Sequence, residues 1–201
     1  MRALEGLALE IHACTLCPLS QTRTRAVPGE GHDRPELMFI GEGPGFNEDQ
    51  QGRPFVGKAG RVLEGLLGLI GLKRNQVYIT NVVKCRPPNN RDPLPTEVSS
   101  CRGYLKHQIE LLDPKLIVTL GRFSMAWFFP QETISRTHGK LRTWNGYSVL
   151  PLYHPAAGLR NSQLYSTLES DFLRIPEMLT GITTVRGKPS HPAEPQQLSL
   201  I

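Results

Sequence analysis

No apolar run in the 201 residues approaches the roughly 20 that a membrane span requires. No part of the chain therefore reads as membrane-spanning. The opening stretch, MRALEGLALEIHAC, carries two Glu residues and lacks the unbroken apolar core and small-residue cleavage site of a secretory leader. The expected setting is the cytoplasm. Cysteines are few, four in all, and in a reducing compartment they read as metal ligands or free thiols before disulfides. Charge of one sign is only mildly in excess, at a formal +5, which favours a polyanionic partner, nucleic acid first. The length suits one domain with a real core, and the expected state is a monomer.

Periodicity supplies the elements. Residues 2–13 read as an amphipathic helix, with Leu4, Leu7, Ala8 and Ile11 on one side. Short apolar strands follow at 36–41, 76–83, 115–120 and 147–153, separated by helices at about 58–71, from an N-cap at Thr96 to Leu112, and at 121–128. A last helix is expected from Ser162 to about Leu179. The stretch 41–57 reads as a Gly/Pro-rich loop and 86–95, with four prolines, as another. Strands that alternate with helices, each strand continuously apolar, predict a parallel sheet covered on both faces, a three-layer α/β/α domain. The domain is expected over residues 1–180, followed by a flexible tail over 181–201. In such sheets a ligand sits outside the carboxyl ends of the strands. There the sequence places Gly41-Glu42-Gly43-Pro44-Gly45, Asn81 and His154.

Several residues at those strand ends carry chemistry. The cysteines are spaced Cys14-x2-Cys17 and Cys85-x15-Cys101, which suits a four-thiolate site. Spacing alone leaves zinc and [4Fe–4S] nearly tied. Glycines at 41, 43 and 45 allow close backbone approach to a ligand, but the G-x-G-x-x-G register of a dinucleotide site is missing. Phe55 lies in a loop between Pro54 and Gly57, where it can stack on a flat ring. Asn81 offers a donor and an acceptor side by side, which suits the imide edge of uracil. The imidazole of His154 can donate to a leaving group that gains negative charge.

The stretches GEGPGFNEDQQGRPFVGKAG, YITNVVKCRPPNNRDPLP and HPAAGLRN resemble the family 4 uracil-DNA glycosylases, the iron–sulfur members of their superfamily. The resemblance runs from about residue 1 to 180 and includes the four cysteine positions. It implies a [4Fe–4S] cluster on Cys14, Cys17, Cys85 and Cys101, a central four-stranded parallel sheet, and removal of uracil from DNA. It also implies roles. Phe55 would stack on the flipped uracil, Asn81 would read its imide edge, and backbone at Glu42 and Gly43 would meet its carbonyls. His154 would stabilise the charge growing on O2. Gly43 stands where the family 1 enzymes carry a water-positioning Asp, which leaves Glu42 as the candidate to orient water. Phe46 and Asn47 stand where the family often carries an acidic residue against the thymine methyl, a departure that bears on thymine discrimination. No basic insert follows the Asn81 strand, so ordinary turnover is expected rather than a covalent cross-link to DNA.

A flipped base leaves a gap in the duplex. Leu159 is the candidate wedge to fill it, and Lys84, Arg86, Arg91 and Arg160 are candidate phosphate contacts. The last residues, Gln197, Leu198, Leu200 and Ile201, resemble a bacterial sliding-clamp binding peptide. Two other readings stay open from the residues alone: a non-catalytic DNA-binding module, and a zinc-stabilised hydrolase of another nucleotide.

Overall fold

The computed structural model describes residues 2–182. The candidate clamp-binding peptide and the expected tail from 183 onward lie outside the described residues. Six strands form one sheet: β1 (Glu30–Gly31), β2 (Leu37–Gly41), β3 (Tyr78–Asn81), β4 (Leu116–Leu120), β5 (Arg142–Trp144) and β6 (Tyr147–Leu152). Their order is β1-β3-β2-β4-β6-β5. The four inner strands are parallel, as expected, with Gly41 beside Asn81 and Leu120 beside Leu152 in register. The two edges are antiparallel additions that the sequence reading did not anticipate. Neither edge carries an apolar run, because β1 has two residues and β5 is only partly buried. Asn145 and Gly146, both at positive φ, close the β5–β6 hairpin, and this Asn-Gly pair is the signal that could have revealed it.

The helices in chain order are α1 (Arg2–Ala13), α2 (Leu19–Thr22), α3 (Phe46–Gln51), α4 (Lys58–Leu69), α5 (Pro95–Leu112), α6 (Arg122–Phe128), α7 (Ile134–Thr137), α8 (Pro155–Gly158), α9 (Ser162–Leu173) and α10 (Ile175–Gly181). Side chains alternate across each strand. Leu37 and Phe39 of β2 face Leu63, Leu66, Leu67, Leu168 and Phe172 of α4 and α9. Met38 and Ile40 face Leu105, Ile109, Trp127 and Phe128 of α5 and α6. The result is the three-layer sandwich. Phe39 and Phe172 stack at 5.7 Å between centroids, and truncating either to Ala would cost about 3–5 kcal/mol.

Two helix boundaries differ from expectation. α5 is capped at Leu94 with Pro95 in its first turn, not at Thr96. Proline prefers that first position, and the Glu97 carboxylate accepts the Leu94 N–H at 2.7 Å. The last helix breaks at Arg174 into α9 and α10, because Pro176 cannot donate to the turn before it.

Candidate functional site

The chain runs from β2 out to β3 on one side, and β4 then returns to the other side of β2. A crevice is expected outside the strand ends at such a reversal. One of about 390 Å³ lies there, lined by Glu42, Gly43, Glu48, Phe55, Asn81 and His154, with Arg91 and Arg160 on its walls. The loops after β2, β3 and β6 thus converge as the sequence implied.

Its floor is tightly built. The rings of Phe55 and His154 lie 5.6 Å apart and 28° from parallel. Asn81 is 2% exposed, at the carboxyl end of β3. A Cβ at Gly41 would come within 2.4 Å of Asn81 Oδ1 and 2.6 Å of Phe55 Cζ, so only glycine lets the amide and the ring close over the strand end. Phe55 adopts φ +51°, a region bulky residues rarely enter. That conformation is held from both sides. Arg74 Nη1 donates to the Phe55 carbonyl at 2.8 Å, and Nη2 donates to the Pro54 carbonyl. Glu48 Oε1 accepts the N–H groups of Val56 at 2.9 Å and Gly57 at 2.8 Å. Glu48 Oε2 accepts that of Gly45 at 3.2 Å. One carboxylate therefore ties the turn after β2 to the Phe55 loop.

Neither Glu48 nor Arg74 was singled out by sequence. Glu48 sits three residues after Gly45 at the start of α3, the spacing of a helix-entry carboxylate, and this signal could have found both the helix and the residue. An acidic side chain does line the crevice one position beyond Asn47, at Glu48, while Phe46 is 56% exposed.

Electrostatics divide the two ionisable candidates. Burial pulls the His154 imidazole down to about 4, against a smaller opposing pull from Glu48, so the ring is neutral at pH 7. Its Nδ1 accepts the Ala156 N–H at 3.1 Å. In a neutral imidazole the proton then sits on Nε2, which is left as a donor. Glu42 moves the other way. Burial pushes it up to about 7, with Asp92 adding to the rise and Arg122 opposing it. It is partly ionised at neutral pH, as a base requires.

The candidate DNA contacts separate into three groups. Leu159 is 50% exposed, and Arg160 is exposed beside the crevice. Arg91 lines the crevice with its guanidinium forked on Glu97 at 2.9 and 2.6 Å, and Arg86 donates to Asn90 Oδ1 at 2.7 Å. Lys84 is a correction. It is 1% exposed, and its Nζ donates to Asn81 O, Gln108 Oε1 and Thr80 Oγ1 at 2.6 to 2.7 Å. With its donors satisfied inside the core, it cannot reach a phosphate.

The four cysteines come together from the end of α1, the turn before α2, the segment after β3, and α5. All four line one small cavity beside Arg23 and Tyr104. Among the described residues, no three His, Cys, Asp or Glu side chains converge on a point suited to a single metal ion. Of the Cys, His, Asp and Glu side chains among the described residues, the four cysteines alone line this cavity. Arg23 Nη1 donates to Cys85 Sγ at 2.9 Å, and the Lys84 N–H donates to Cys101 Sγ at 3.3 Å. Hydrogen bonds of this kind stabilise sulfur that bears negative charge. Burial pushes the Cys101 thiol up to about 11, so a bound cationic centre is needed to hold it as thiolate. The residues fit an iron–sulfur cluster. No helix among the described residues is long and apolar enough to cross a membrane.

The family model for the uracil DNA glycosylase superfamily matches residues 28–175. The chain is 48% identical over 188 residues to a type-4 uracil-DNA glycosylase of Sulfurisphaera tokodaii, covering 89% of this chain and 86% of the relative. It is 47% identical to one of Archaeoglobus fulgidus (89% and 94% covered). It is 45% identical to one of Thermotoga maritima (79% and 84% covered).

Proposed function

The chain belongs to the uracil-DNA glycosylase superfamily, and from that premise we propose that it hydrolyses the N-glycosidic bond of deoxyuridine in single- and double-stranded DNA, releasing uracil and leaving an abasic site. The observation that carries this reading is the packing of Phe55, Asn81 and His154 around one crevice large enough for a base. The flipped uracil stacks on Phe55, Asn81 pairs with O4 and N3–H, and backbone at Glu42 and Gly43 meets the carbonyls. As the C1′–N1 bond breaks, its electron pair moves onto the uracil ring. The Nε2–H of His154 then donates to O2, where that charge collects. The sugar becomes oxocarbenium-like and water adds at C1′. Glu42 orients that water and takes its proton. The Glu48 carboxylate on the wall supplies the acidic group that excludes a thymine methyl.

Cys14, Cys17, Cys85 and Cys101 hold a [4Fe–4S] cluster, which when bound supplies structural cross-linking rather than a reaction step. The protein works as a cytoplasmic monomer, and Gln197, Leu198, Leu200 and Ile201 dock on a sliding clamp. Deleting residues 197–201 should abolish clamp capture in a pull-down, and unchanged capture rejects that part.

The primary test is base release from an oligonucleotide with a single deoxyuridine, with T·G and undamaged controls. Release of uracil alone is expected. If iron-loaded protein binds DNA with steep salt dependence but releases nothing, the non-catalytic binding module is the better account.

A further inference from the structure

Phe46 is the one Phe, Tyr or Trp side chain among the described residues that is classed as exposed, at 56%. Every other aromatic is at least partly covered. Exposed leucines such as Leu9 and Leu16 are as bare, but a flat aromatic ring in solvent is in addition a surface on which another ring can stack. Phe46 opens α3 directly after Gly45, between two crevice residues, Gly45 and Glu48. Across from it, Arg86 places its guanidinium carbon 5.1 Å from the ring centroid. Arg86 is itself steered by Asn90 Oδ1, and Asn90 also lines the crevice. Asn89 and Asn90 both adopt positive φ, a conformation asparagine tolerates, and they shape the turn that carries the partner of Arg86. A flat ring and a cation therefore lie together next to the crevice residues Gly45, Glu48 and Asn90, with much of Phe46 in solvent.

We propose that Phe46 and Arg86 form a stacking subsite for an unpaired nucleotide adjacent to the target uridine on the same DNA strand. The ring face that Arg86 does not cover accepts any base, and the guanidinium over the opposite face neutralises the backbone phosphate that follows the base. The subsite is open only to a base that has left its own stack, so it favours single-stranded DNA or a flipped-out neighbour over an intact duplex. This inference rests on the uracil-release reading for its placement on the DNA.

The test is a cycle on single-stranded oligonucleotides carrying one deoxyuridine. Each neighbouring nucleotide is replaced in turn by an abasic spacer, and kcat/KM and binding anisotropy are compared for the natural chain, Phe46→Ala and Phe46→Trp. For the natural chain, one particular spacer position should lower both quantities about tenfold. Phe46→Ala should show that loss on the complete oligonucleotide and lose nothing more with the spacer, while Phe46→Trp should restore the natural pattern. Losses that multiply independently, or a Phe46→Ala that behaves like the natural chain, would overturn the subsite. Failure of the natural chain to release uracil would reject the glycosylase reading instead. The anisotropy cycle would still decide whether Phe46 senses the neighbouring base.

Discussion

The strand-end crevice and the cysteine cavity share one short piece of chain, residues 81–85, yet they are built in opposite ways. Asn81 lines a crevice of about 390 Å³, and Cys85 lines a cavity of about 10 Å³. In the crevice, the strand ends turn Phe55, Asn81 and His154 toward space for a ligand. At the cavity, Arg23 and the Lys84 amide already donate to sulfur. Lys84 joins the two, since its Nζ binds the Asn81 carbonyl while its own N–H binds Cys101. One region keeps polar groups for a ligand and the other spends them on holding the fold. The buried Lys84 side chain thus adds a second link between them, besides the backbone they share.

The sharpest way to break that division is His154→Ala. Removing one donor to a developing oxyanion costs about 10²–10³ in rate, so uracil release should fall by that factor in single-turnover assays. DNA binding should stay unchanged, and stability should fall by only about 1 kcal/mol, because the Ala156 N–H loses its Nδ1 acceptor. A much larger loss of stability would show that the crevice is not separable from the fold.

Next in size is Lys84→Ala, which leaves Gln108 and Thr80 short of a partner and opens a hole. About 3 kcal/mol of stability should be lost in denaturant unfolding. Because the side chain braces Asn81, KM for uracil-containing DNA should rise alongside. Lost stability with an unchanged KM would disconnect the two regions.

Glu42 gives a smaller effect, with a defined direction in pH. Its carboxyl is raised by burial to about 7 in the folded chain from an ordinary 4.5, and in the proposed mechanism the ionised form orients water. Release should therefore climb about tenfold per pH unit below 7 and level off above it, and Glu42→Gln should flatten that rise. For stability the sign is opposite. The folded chain retains a proton that the unfolded chain loses between those values, so the contribution of this group is present below about 4.5 and is lost as pH rises through about 7. Glu42→Gln should accordingly raise the melting temperature more at pH 8 than at pH 4.5.

The smallest effect is expected from Leu159→Ala. With Leu159 as the proposed wedge, the substitution should slow release from duplex DNA a few-fold, about 1 kcal/mol, and leave single strands unaffected. Equal slowing on both would assign Leu159 to packing.

Much of this was legible in the chain itself. Apolar runs marked β2, β3, β4 and β6 because strands buried on both faces must be continuously apolar. The rule that ligands bind at strand ends then collected Glu42, Phe55, Asn81 and His154 without coordinates. The edges β1 and β5 escaped, since a half-exposed two- or three-residue strand has no periodicity to read. Lys84 was misread because a lysine beside Arg86 looks like a surface cation. Its burial depends on Thr80, Asn81 and Gln108 meeting it from β3 and α5.

Residue order alone pointed to the α/β/α layering, to a crevice at the strand ends and to four thiols as the candidate ligand set. These follow from local periodicity and residue chemistry. Tertiary structure alone decided that Glu48 and Arg74 clamp the strained Phe55, that His154 is neutral with its donor on Nε2, and that Lys84 is a brace. Hydrogen-bond partners and burial come from elements distant in sequence, and those are what set a side chain's conformation and charge.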